Sequence, residues 1–172
     1  MIKILGVKII DRIKEAGLTQ EILSRHSAAI ITRLGFHEVT DNVCSREACL
    51  ILHLNDKNNE AAKLRSELEP LGGIIIRELT FNSADTTVTD VTGIPEVLCL
   101  VLNRKTSSTL EVQKLLTMYG CYIRTRLGVN ESFFGEPAGL IILELTGDEK
   151  QRVLLANDLR RISGVQVRSL VF

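Results

Sequence analysis

Four residues, Thr32-Arg33-Leu34-Gly35, recur 93 positions later as Thr125-Arg126-Leu127-Gly128. The same offset aligns Gln20 with Gln113, Leu23 with Leu116, Ile30 with Ile123 and Glu38 with Glu131. Past the next loop the offset becomes 91, aligning Ile51-Leu52 with Ile142-Leu143, Leu54 with Leu145, Leu68 with Leu159, and Gly73 with Gly164. Arg77, Leu79 and Phe81 then align with Arg168, Leu170 and Phe172. Two long ungapped runs on nearly one diagonal mark an internal duplication. The copies are expected at 1–81 and 95–172. Residues 82–94 between them read as a linker, since the stretch from Asn82 to Gly93 has no Lys or Arg and is rich in Thr and Asp.

Each copy has the same order of local signals. In the second, Val97 to Leu102 is a short apolar run, expected as a buried strand. Ser108-Thr109-Leu110-Glu111 has the form of a capping box, and Val112, Leu115, Leu116 and Tyr119 follow on one helical face up to Gly120. A strand is expected over 121–129, a turn-rich loop at 133–137 and a strand over 140–145. Leu155, Leu159 and Ile162 mark a second helix closed by Gly164, and 165–172 is the last strand. The first copy reads as strand 3–10, helix 13–26, strand 28–36, strand 48–54, helix 58–69 and strand 74–81. The fold class is therefore α+β: two tandem βαββαβ units of the split βαβ, ferredoxin-like kind. Each has helices on one face of a four-stranded antiparallel sheet of order 4-1-3-2.

Edge strands alternate, as a sheet with one wet face requires. By strict alternation Ile123, Thr125 and Leu127 share one face, while Tyr122, Arg124 and Arg126 take the other. Arg33 and Arg126 are then expected to point away from the helices. The central strands do not alternate: 98–102, 140–143 and 50–52 are apolar on both faces. Helices cover one face only, so the other needs a cover, expected to be the sister repeat, a second chain or both. Covering ~400 Å² of apolar surface is worth ~10 kcal/mol before association costs, so a homo-oligomer is expected.

Composition narrows the function. Lys plus Arg number 21 and Asp plus Glu number 21, giving no net charge. A dominant nucleic-acid role needs a basic surplus to neutralise phosphates, so none is expected. No apolar run approaches the ~18 residues needed to cross a bilayer, and no cleavage signal follows the first residues. The expected location is the cytoplasm, without a membrane partner.

Residues 107–128, with Tyr119-Gly120 and Ile123-Arg124-Thr125-Arg126-Leu127-Gly128, resemble the small ACT-like proteins known as iron-only hydrogenase system regulators. So do the Gly139-Leu140-Ile141-Ile142 strand, the 162–170 segment and Asn103-Arg104 after the first strand. The second repeat is covered throughout and the first more loosely. Members of that family usually have one repeat, and this chain has two. The grammar is also similar to the ligand-binding half of nickel-responsive repressors and to tandem ACT regulatory subunits such as the acetolactate synthase small subunit. The resemblance implies a non-catalytic regulator that binds a small effector, such as an amino acid. It places the ligand at the first loops, Asp11-Arg12 and Asn103-Arg104, where a helix N-terminus favours anions, the alternative being that these residues are plain helix caps.

Candidate ligand-binding residues are thus Asp11, Arg12, Arg33, Asn103, Arg104 and Arg126. The arginines Arg33 and Arg126 recur at equivalent positions, and a guanidinium can clamp a carboxylate in bidentate fashion. They could equally fix strand register by pairing with Glu38, Glu131, Glu144 or Glu78. His53 aligns with Glu144, and that position reads as a cross-strand partner of an arginine on the adjacent strand. Catalytic residues, cofactor and metal are all expected to be absent. No nucleophile elbow, P-loop or zinc-protease helix occurs. Cys44 and Cys49, with His37 and His53 nearby, are soft ligands, but their spacing is not CxxC and the second copy has no equivalent pair. The alternative function is an interaction subunit of a larger enzyme with no ligand of its own.

Overall fold

The computed structural model describes residues 1–37, 39–40, 43–55, 59–82, 93–103, 108–133 and 136–172. Apart from its first and last residues, the chain divides into two compact units, Ile2–Thr80 and Phe81–Val171. The first repeat runs β1 (Ile2–Ile9), α1 (Arg12–Arg25), β2 (Ile30–Phe36), β3 (Val39–Thr40), β4 (Val43–Cys44), β5 (Ala48–Leu54), α2 (Glu60–Leu68) and β6 (Ile74–Phe81). The second runs β7 (Val97–Asn103), α3 (Ser108–Met118), β8 (Ile123–Phe133), β9 (Glu136–Leu145), α4 (Glu149–Arg160) and β10 (Val165–Leu170).

The sheets have strand orders β2-β5-β1-β6 and β10-β7-β9-β8, and β3 and β4 form a separate small hairpin. With each repeat's four long strands numbered from its start, both sheets are 4-1-3-2, the ferredoxin-like arrangement expected from the sequence. In each repeat a single 3-10 turn, Ser27–Ala29 or Gly120–Tyr122, precedes the second strand, so that strand begins later than the apolar pattern suggested. In the second repeat the β8–β9 ladder continues to Phe133 and Glu136, across part of what the sequence read as loop.

Helix starts follow from side-chain chemistry. Asp11 caps α1, its Oδ1 accepting from the N–H groups of Ile13 and Lys14 at 3.2 and 3.4 Å. Asp148 caps α4 by accepting from the Gln151 N–H at 3.0 Å. α3 is described from Ser108 onward, and the residues just before it lie outside the described residues. Gly73 and Gly164, equivalent in the repeat, end the helix-to-strand turns at φ of 83° and 77°, which a side chain would strain.

The core of each unit lies between sheet and helices. In the first, Leu5, Val7, Leu50 and Leu52 pack with Ile22, Leu23, Leu64 and Leu68. In the second, Leu98, Leu100, Ile141 and Leu143 pack with Val112, Leu116, Leu155 and Leu159. On the other sheet faces Ile4 and Ile51, and likewise Leu140 and Ile142, are fully buried.

The edge strands β2 and β8 each carry an irregularity that the sequence does not show. The register of β2 on β5 shifts between Ile30 and Thr32, and that of β8 on β9 between Ile123 and Thr125. One extra residue, Ile31 or Arg124, is inserted at the same point of each repeat. A bulge reverses the face of every residue beyond it. Arg33 now pairs with Leu52 and Arg126 with Leu143, and both leucines belong to the helix-side cores. The expectation that Arg33 and Arg126 turn away from the helices is corrected: they lie on the helix side.

Candidate functional site

The two arginines define matching constellations. Arg33 Nη1 donates to Gln20 Oε1 on α1 at 2.7 Å. The Gln20 amide is itself oriented, because its Nε2 donates to Ser24 Oγ at 3.1 Å while that hydroxyl donates to the Gln20 carbonyl at 2.8 Å. In the second repeat Arg126 Nη2 donates to Gln113 Oε1 on α3 at 3.0 Å. Thr117 Oγ1 donates to the Gln113 carbonyl at 2.9 Å. Gln20, Ser24 and Arg33 map onto Gln113, Thr117 and Arg126 at the single offset of 93. Both guanidinium groups are exposed at the outer side of the helix-covered face. The sequence repeat had paired the glutamines and the arginines. The hydroxyl was missed because Ser and Thr are not identical letters, although they are identical chemistry at i+4 of the glutamine.

The first loop of the first repeat is closed on itself. Arg46 donates to Asp11 Oδ2, and the Arg12 N–H donates to the Arg46 carbonyl at 2.8 Å. Arg12 Nε donates to the Ser45 carbonyl at 2.9 Å. The Arg46 hydrogen bond holds the Asp11 carboxyl below its ordinary pKa, helped by the Lys14 and Ile13 N–H groups and opposed by partial desolvation. The positive end of α1 thus already faces the carboxylate of its own cap. Of the equivalent residues in the second repeat, Asn103 ends β7 paired with Ala138, and Arg104 lies outside the described residues.

Glu144 is buried, with Thr125 Oγ1 donating to its Oε2 at 2.5 Å and Arg124 Nη1 to its Oε1 at 3.3 Å. It is the cross-strand partner of an arginine on the adjacent strand, as its alignment suggested. His53 is also buried but stands opposite Thr32 in the ladder, and the position of Arg124 is filled by Ile31. Glu78 pairs with Arg65 at 3.2 Å, and Arg168 lies over the Phe81 ring, 5.8 Å from its centroid. Cys49 is half-buried in β5. Among the described residues no group of three or more His, Cys, Asp or Glu could hold a metal ion. Among them, too, no helix is long and apolar enough to cross a membrane.

Sequence reasoning passed over a second pair of equivalent contacts. His26, just past α1, places Nε2 at 2.9 Å from Glu67 Oε1 and Nδ1 at 3.4 Å from Glu60 Oε2, both on α2. At the matching place Tyr119 Oη donates to Asp158 Oδ2 on α4 at 2.7 Å.

No protein-family model and no curated protein matches the sequence. Among solved structures, an uncharacterised protein of Thermotoga maritima is similar at 24% identity and TM-score 0.39, over 45% of this chain and 92% of its own. The acetolactate synthase small subunit of the same organism matches at 9% identity and TM-score 0.36, over 99% of this chain and 95% of its own. The regulatory subunit of aspartate kinase from Thermus thermophilus matches at 12% identity and TM-score 0.36, over 94% and 93%. Scores this low carry no argument about function, and the fold rests on the strand orders above.

Proposed function

We propose that this chain is a non-catalytic regulatory protein of tandem ACT-like domains that senses a small anionic effector, such as an amino acid, and acts through protein assembly. The observation that carries the reading is the paired Gln–Arg constellation. An exposed guanidinium, bonded to a glutamine on the helix, is kept in both copies of a unit whose other shared residues are mostly core. Such a group suits a carboxylate ligand, and a duplicated fold suits a sensor whose two halves respond together. The candidate ligand residues remain Asp11, Arg12, Arg33, Asn103, Arg104 and Arg126. The resemblance of the second repeat supports a role in a hydrogenase system or in metabolic regulation. The test is a thermal-shift screen of the amino acids and related anions, followed by calorimetry and size measurement with and without any hit. An effector that raises Tm supports the reading, and no response to any of them counts against it.

A second reading, an interaction subunit of a larger enzyme, has one observation in its favour. Ile13 of α1 and Leu110 and Met118 of α3 are large apolar side chains exposed at 76%, 70% and 75%. Co-purification of a large catalytic chain, with no small-molecule response, would favour it.

A further inference from the structure

The Thr-Arg-Leu-Gly repeat keeps a glycine as well as an arginine. Two residues apart on a strand, glycine and arginine share a face, and the bulge sets that face to the helix side: Gly35 pairs with Leu50 and Gly128 with Ile141. A glycine inside a strand costs stability and gives no side chain to pack. Neither glycine has a positive φ, so the backbone does not demand it. Packing does not demand it at Gly128 either, since no atom of the described residues lies within 4 Å of where its Cβ would stand. At Gly35 the nearest atom to that point is Leu50 Cδ2 at 3.0 Å, the far end of a flexible side chain. Both glycines are exposed. Gly128 leaves bare strand backbone two residues from a held guanidinium, and Gly35, its equivalent, holds the same place beside Arg33 with the end of the Leu50 side chain against it. A strand glycine with no conformational or packing reason, as at Gly128, marks a place where something approaches the backbone closely, and the repeat carries the same place to Gly35.

We propose that each repeat receives one small carboxylate ligand on the helix side of its edge strand, bound by Arg33 over Gly35 in β2 and by Arg126 over Gly128 in β8. This rests on the regulatory reading and deepens it, fixing the ligand class, the place and a stoichiometry of two per chain. In each guanidinium one of five N–H groups serves the glutamine. Among the described residues the others have no protein acceptor, and so can take a carboxylate in bidentate fashion. The glutamine fixes where the fork points, and the hydroxyl of Ser24 or Thr117 lies one helical turn beyond it on the same helix. The ligand stem then lies along the strand, where any Cβ would stand in its way.

The test uses the full chain and glutarate as probe, read at the arginine Nε–H resonances by nitrogen-15 NMR and assigned with Arg33→Lys and Arg126→Lys. Two resonances, those of Arg33 and Arg126, should saturate with glutarate while that of exposed Arg77 does not. In Gly128→Val the Arg126 response should weaken about tenfold and the Arg33 response stay unchanged, because the added side chain covers the backbone but leaves the Arg126–Gln113 bond intact. A merely structural clip between strand and helix would not respond to that variant. Non-saturating shifts like those of Arg77, or an Arg126 response indifferent to Gly128→Val, overturn the proposal. An amino-acid-induced rise in Tm that survives Arg33→Gln with Arg126→Gln overturns it too, while leaving the regulatory reading in place. Absence of both the rise and the saturable shifts removes both.

Discussion

Tyr119 donates its hydroxyl to Asp158 at 2.7 Å, tying the end of α3 to α4, and His26 sits against Glu67 at the same place in the first repeat. The contact between the two helices has been kept while its chemistry has changed from imidazole–carboxylate to phenol–carboxylate. The bond to Asp158, then partial burial, raises the Tyr119 pKa above its ordinary value. A raised pKa means that the folded state holds the proton more tightly. The stability it contributes is present in full below about pH 10 and is lost as pH rises through the raised folded value. Tyr119→Phe should cost about 1 kcal/mol at neutral pH, the net worth of a partly solvated hydrogen bond. Urea titrations from pH 7 to 11 should show wild type and variant converging at the alkaline end. A constant gap would contradict the assignment.

Asp11 gives the opposite limb. Its pKa is lowered by Arg46 and by the helix N–H groups, so its contribution is present above the unfolded carboxylate value of about 4. It is lost as pH falls through the lowered folded value. Asp11→Asn keeps an N-cap acceptor and removes the ion pair with Arg46, so its stability between pH 6 and 2 should fall less steeply than that of wild type. Asp11→Ala loses the cap as well and should have the lowest Tm of the three at pH 7. Thermal melts across that range measure both differences.

The helix-side cores should be sensitive to single truncations. Leu52 is fully buried at the centre of the first sheet among Leu5, Val7, Leu64 and Leu68. Leu52→Ala should cost about 2–5 kcal/mol, from lost transfer energy and the cavity left behind. Equilibrium denaturation measures it. An effect under about 1 kcal/mol would mean that the site collapses around the smaller side chain.

The element order was legible because apolar periodicity and turn glycines are local signals, and the duplication read each of them twice. Both sheet orders follow from that grammar. The faces of Arg33 and Arg126 were not legible, because a bulge is one extra residue whose identity is unconstrained: Ile31 in one copy and Arg124 in the other. Strict alternation through Ile123, Thr125 and Leu127 therefore placed the arginines on the wrong side. Identity matching also hid the pairs His26–Glu67 and Tyr119–Asp158, where position is kept and residue type is not. The closure of Asp11 by Arg46 joins residues far apart in sequence with no counterpart to align.

The two strand glycines should respond differently to the same change. At Gly35 a Cβ would stand 3.0 Å from Leu50 Cδ2, so Gly35→Ala forces that leucine to shift within the core edge. At Gly128 a Cβ meets none of the described atoms within 4 Å, and alanine lowers the backbone entropy of the unfolded chain. Gly128→Ala should therefore be neutral or stabilising by about 0.5 kcal/mol. Gly35→Ala should be less favourable by about 1 kcal/mol, the strain of a modest overpacking. Chemical denaturation of the two variants side by side measures the difference. Equal effects would show that Leu50 yields freely. A large loss at Gly128 would place a neighbour against that strand, in conflict with the open backbone on which the carboxylate site depends.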